Sequence, residues 1–157
     1  PEAIESQRSL LTEDYQTYVI DDQEIERVIS SYPVIWKMQE SKAKVCFIGC
    51  PHLSLRQLED WTERITSALQ SSKRKRVAVP TILCAAPDVV EAFKKQEEKY
   101  SRLIATGARV TSICALMYMN NPLCAKKPVI TNSNKLRTYT TAKFLLDDQV
   151  LAEITNG

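Results

Sequence analysis

The chain has 157 residues, 44% of them hydrophobic and 25% charged, enough for one domain with a real core and ordinary for a soluble globular protein. A formal net charge of +2 gives no reason to expect nucleic acid or an acidic membrane surface as partner, and no apolar stretch approaches the ~20 residues of a membrane helix. Three glycines leave no Gly-rich phosphate loop, which excludes the dinucleotide and P-loop motifs. The five cysteines (46, 50, 84, 114 and 124) are odd in number and sit mostly in apolar contexts. That pattern suits free thiols or metal ligands in a reducing, cytoplasmic setting rather than a disulfide framework.

In chain order, residues 2–11 suggest a short helix and residues 15–20 a short strand. Asp21 or Asp22 then caps a helix carrying Ile25, Val28, Ile29 and Tyr32 on one face, stopped by Pro33. Residues 34–38 form an apolar stretch around Trp36. Residues 45–48 read as a strand buried on both faces of a parallel sheet, halted at Gly49. Ser54 with Gln57 three residues on is a capping-box signature opening a helix to about Gln70, with Leu55, Leu58, Ile65 and Leu69 inward. The basic run at 73–76 reads as a solvated loop. A second buried strand spans 77–85, with Pro80 indicating an edge, a bulge or a late start. A long helix opens at Pro87 and Asp88 and ends at Gly107. A third strand covers 108–116 and carries Cys114. A loop at 117–127 holds Cys124, and a short strand at 128–131 leads into Asn132-Ser133-Asn134-Lys135. Residues 142–146 and 150–154 suggest irregular or helical structure at the end. Alternating strands and helices predict a single α/β domain over 1–157, with a parallel sheet and right-handed crossovers.

In such sheets ligands bind outside the carboxyl ends of the strands. There the chain places Cys50-Pro51-His52, Cys114 and Thr131-Asn132-Ser133. Cys50 and Cys114, two crossovers apart, are candidate ligands for iron or zinc, against the plainer reading of small buried hydrophobes. Cys46 and Cys84, inside strands, read as core. His52, the only histidine, is an acid/base or hydrogen-bonding candidate. The turn of Thr131, Asn132, Ser133 and Lys135 supplies donors and a cation suited to a carboxylate.

The block Gly49-Cys50-Pro51-His52-Leu53-Ser54, then a strand with Cys114, then Thr131-Asn132-Ser133 with Lys135 and Tyr139, resembles the catalytic part of the aconitase X family. The resemblance implies a three-layer, aconitase-like α/β fold and the C-terminal portion of a large catalytic segment. It implies a hydro-lyase, using an iron–sulfur cluster or iron, that dehydrates a small hydroxy-carboxylate; cis-3-hydroxyproline and mevalonate 5-phosphate are the family's known substrate types. Cys50 and Cys114 would then ligate the metal. Thr131, Asn132, Ser133 and Lys135 would bind substrate, and His52, Ser133 and Lys135 would serve catalysis. An upstream segment and a small swivelling domain would complete the enzyme. The chain departs from the family pattern at Ser112, at Ala85-Ala86 and at Asn134, and it has no third cluster cysteine upstream of Gly49 except Cys46. These departures keep open an α/β binding module that has lost the cluster.

Overall fold

The structure, a computed structural model, describes residues 15–38 and 40–156. The chain divides into two compact units, Pro1–Tyr32 and Pro33–Gly157. In the first, residues 15–20 form no strand, and the suggested helix at 2–11 lies outside the described residues. Helix α1 (Asp22–Ser30) is capped by the Asp21 carboxylate, which accepts from the Glu24 N–H at 2.8 Å. Its apolar side chains are not buried.

The second unit is built on five parallel strands: β1 (Val45–Leu53), β2 (Thr81–Ala85), β3 (Arg109–Thr111), β4 (Val129–Thr131) and β5 (Lys143–Phe144). Their order is β3-β2-β1-β4-β5. The chain therefore leaves β1 in one direction through β2 and β3, then returns to lay β4 and β5 on its other side. Because β1 is central, residues 46–50 are buried, and its alternating side chains feed two separate cores. Cys46 and Ile48 join Leu58, Trp61, Ile65, Leu83, Phe93, Leu103, Ile130 and Ile154. Those residues come from helices α2 (Leu55–Ser71), α3 (Pro87–Lys94), α4 (Glu97–Ala105) and α8 (Asp147–Asn156), and from strands β2 and β4. Phe47 and Cys50 join Cys84, Ala115, Met119, Val129 and Leu136 on the opposite face. Short helices α5 (Ala115–Met119), α6 (Pro122–Ala125) and α7 (Asn134–Tyr139) cover that side. Three layers result.

Local chemistry sets the boundaries. Ser54 and Gln57 form the reciprocal capping box that opens α2. Proline cannot donate to a ladder, so β2 starts after Pro80, whose carbonyl accepts from the Cys46 N–H at 2.8 Å. The long helix expected after Pro87 is two helices. The chain turns at Gln96, whose side-chain amide donates to Glu59 on α2 at 2.7 Å. The third strand is also shorter than the sequence suggests. The Thr111 hydroxyl accepts from the Ile113 N–H at 3.1 Å, closing a turn that ends β3, so Cys114 stands beyond the strand at the N-cap of α5. The expected loop at 117–127 contains the end of α5 and α6. Among the described residues, no helix is long and apolar enough to cross a membrane.

Candidate active site at the strand-order reversal

The order of the strands reverses between β1 and β4, so a crevice must open outside their carboxyl ends. Two features of β1 shape it. Ile48 pairs with Leu83 and Leu53 with Ala85, so residues 49–52 stand opposite the single residue Cys84 and bulge away from the ladder. Gly49 begins the bulge at φ +102°, and a Cβ there would lie 2.2 Å from the Cys84 carbonyl oxygen. No side chain fits that approach. The Cys50–Pro51 peptide is cis.

The β4 end is tied to the bulge through Ser133. Its hydroxyl donates to the Cys50 carbonyl and accepts from the Leu136 N–H at 2.9 Å, capping α7. The Ser133 N–H donates to the Thr131 hydroxyl at 3.1 Å. Between these strand ends lies a crevice of about 190 Å³, lined by Cys50, His52, Gln57, Asn132 and Ser133 among others. A larger open cavity, of about 600 Å³, lies at the amino-terminal edge, against Trp36, Lys44, Arg74 and Lys143. It holds no thiol and no histidine, whereas the smaller crevice holds both.

The residues singled out from sequence fall as follows. Cys50 is buried at the head of the crevice, and His52 is exposed on its wall. Asn132 is half-buried, and its side-chain amide donates to the Asp147 carboxylate at 2.8 Å. Lys135 is exposed on α7, close enough to favour a Cys50 thiolate. Thr131 is fully buried, its hydroxyl used by the Ser133 N–H, and does not line the crevice. Burial pushes the Cys50 thiol up from its ordinary range; the neighbouring Ser133 hydroxyl and the Lys135 charge oppose this, and Cys114 adds to it. Cys50 and Cys114 thus lie within electrostatic reach of each other although β3 stops short of the latter.

Sequence reasoning assigned Cys84 to the core. It is fully buried, yet it interacts with both Cys50 and Cys114, and burial pushes its thiol up to about 12. The β2–β1 register, which sets Cys84 against the bulge, was the signal that sequence lacked. Gln57 was read only as a cap, and it also lines the crevice. Thiolates are the ligands that iron–sulfur clusters take, and Cys50 and Cys114 offer two at one point. Among the described residues, however, no three His, Cys, Asp or Glu side chains are grouped to hold a metal ion. The two cysteines fit part of the donor set of such a group.

An open parallel sheet with helices on both faces defines the three-layer α/β class. Residues 43–148 match the model of the aconitase X third domain, and the chain belongs to the aconitase X family. Among solved structures it is similar to the crystal structure of Thermococcus kodakaraensis aconitase X in its holo-form, with a TM-score of 0.67 and 20% identity. The match covers 93% of this chain and 36% of that one, so the chain spans about a third of that structure's length. No curated protein matches.

Proposed function

We propose that this chain is the metal-holding third domain of a hydro-lyase that dehydrates a small hydroxy-carboxylate. The observation that carries the proposal is that Cys50, which lines the crevice formed by β1 and β4, interacts with the thiol of Cys114, in a chain of the aconitase X family. The two thiolates are part of the ligand set of an iron–sulfur cluster or iron, completed by a residue outside the described set. When bound, that group supplies a Lewis acid for the leaving hydroxyl.

The chain's own side chains do the rest. Binding requires the thiols to lose their protons, and Lys135 assists at Cys50 against the cost of burial. His52, exposed on the crevice wall, is placed to exchange a proton with a bound acid and with solvent. Ser133 has its hydroxyl hydrogen on the Cys50 carbonyl. It holds the two strand ends together and fixes the direction of Cys50, so its contribution is positional. Lys135 supplies positive charge for the carboxylate. An upstream segment and a swivelling domain close the crevice and exclude water.

The test is water elimination from cis-3-hydroxyproline and mevalonate 5-phosphate by the full-length protein, followed by proton NMR. Appearance of the unsaturated product from either, lost in Cys50→Ser, supports the proposal; no turnover of any small hydroxy acid overturns it. A second reading, an α/β binding module without the cluster, draws on the departures from the family pattern at Ser112, Ala85 and Ala86. Carboxylate binding without iron would favour it.

A further inference from the structure

Two side-chain amides line the crevice, Gln57 from α2 and Asn132 from the end of β4. An amide can point either way, donor or acceptor forward, unless a partner of fixed polarity decides. Both amides have such a partner. The Gln57 Oε1 accepts from the Ser54 backbone N–H at 2.9 Å, and a backbone N–H can only donate. Gln57 is left with its NH₂ uncommitted. The Asn132 Nδ2 donates to Asp147 Oδ1 at 2.8 Å, and a carboxylate can only accept. Asn132 is left with its carbonyl oxygen turned away from Asp147 and uncommitted, together with one N–H.

The Asp147 carboxylate is itself held. Arg64 Nη1 donates to its Oδ2 at 3.2 Å and Arg64 Nη2 to Asp148 Oδ1 at 2.6 Å. The guanidinium lies 4.5 Å from the centre of the Trp61 ring, which is core. The Leu145 N–H donates to the Thr131 carbonyl at 2.9 Å, fixing the segment that carries Asp147 beside β4.

We infer that Gln57 and Asn132 form a polarity-coded pair, in which Gln57 donates to the carboxylate of a small hydroxy acid and Asn132 accepts from its hydroxyl. Asp147 and Arg64 are positioning residues that set the Asn132 amide, as the Ser54 backbone sets Gln57. This revises the expectation that Asn132 holds the carboxylate. The inference rests on the reading of the crevice as the substrate site.

The experiment uses 3-hydroxybutyrate and butyrate, which differ only in the hydroxyl, with side-chain amide NMR of the same protein. The wild type is expected to bind the hydroxy acid about five-fold more tightly. Asp147→Ala, at a half-exposed position, should shift the Asn132 amide signals and bring the ratio towards one. Gln57→Glu keeps the acceptor for Ser54, so folding stability is retained, but replaces the donor with a like charge. It should weaken both acids about ten-fold or more. A purely structural role for Asp147 would change both affinities together and leave the ratio alone. Asn132 signals unmoved by Asp147→Ala would overturn the inference while leaving the crevice reading standing, as would butyrate binding unaffected by Gln57→Glu. If the amide signals respond as expected but the wild type binds neither acid, the crevice reading falls and takes the recognition with it.

Discussion

The two faces of the sheet are built from different materials. On one, long helices α2, α4 and α8 press Trp61, Ile65, Leu69, Leu103 and Ile154 onto Cys46, Ile48 and Leu83. On the other, helices of four to six residues bring Met119 and the partly buried Cys124, whose thiol lies 3.9 Å from the Met119 sulfur, onto Phe47, Cys50 and Cys84 of the strands. The first face has the large aliphatic and aromatic burial from which stability comes. The second is sulfur-rich and covered by short helices, and it is the face on which Cys50 lies. One strand serves both, because alternate residues of β1 point to opposite sides.

The largest expected effect comes from damaging what both faces share. Gly49→Ala would set a methyl 2.2 Å from the Cys84 carbonyl at φ +102°, and a backbone oxygen cannot step aside. We expect a loss above about 3 kcal/mol, or no folded protein, by urea denaturation. Ile65→Ala on the aliphatic face should cost about 3 kcal/mol while leaving metal uptake per folded molecule unchanged. If uptake fell in parallel, the separation of the faces would fail.

On the thiol face the pattern should invert. Cys50→Ser and Cys114→Ser should each abolish iron binding at a stability cost below about 2 kcal/mol. Unchanged iron content in either variant removes that residue from the ligand set. The smallest effect concerns Cys84. Its thiol is raised from about 9 to about 12 in the folded state, so unfolded chains release the proton first as the pH rises. Its contribution is complete below pH 9 and is lost between 9 and 12. Metal-free wild type should therefore lose stability from pH 8 to 10.5, and Cys84→Ala should flatten that decline.

Much of this was legible in the sequence where the signal is local. The apolar run at 45–48, the Ser54–Gln57 box and the donor that Pro80 lacks fix β1, the start of α2 and the start of β2. What failed was decided by side chains acting off pattern or at long range. The apolar run after Gly107 continues past Thr111, yet the threonine hydroxyl ends the strand. Residues 87–105 keep a helical period, yet Gln96 is engaged by Glu59 and the helix breaks. The site was half legible. Cys50, His52, Asn132 and Ser133 stand beside recognisable strand ends. Nothing within 80 residues of Arg64 announces that it holds Asp147, or that Asp147 holds Asn132. Cys84 reads as core because it is core; only the register shows that it also lies against the bulge that carries Cys50.

The most direct test of the account is iron and acid-labile sulfide content, with a visible spectrum, of the full-length protein purified without oxygen. Stoichiometric iron with a sulfur-to-iron charge-transfer band, lost in Cys50→Ser and Cys114→Ser, is the predicted result. A colourless, iron-free protein that stays so after reconstitution would contradict it and leave the crevice as a binding site for carboxylates alone.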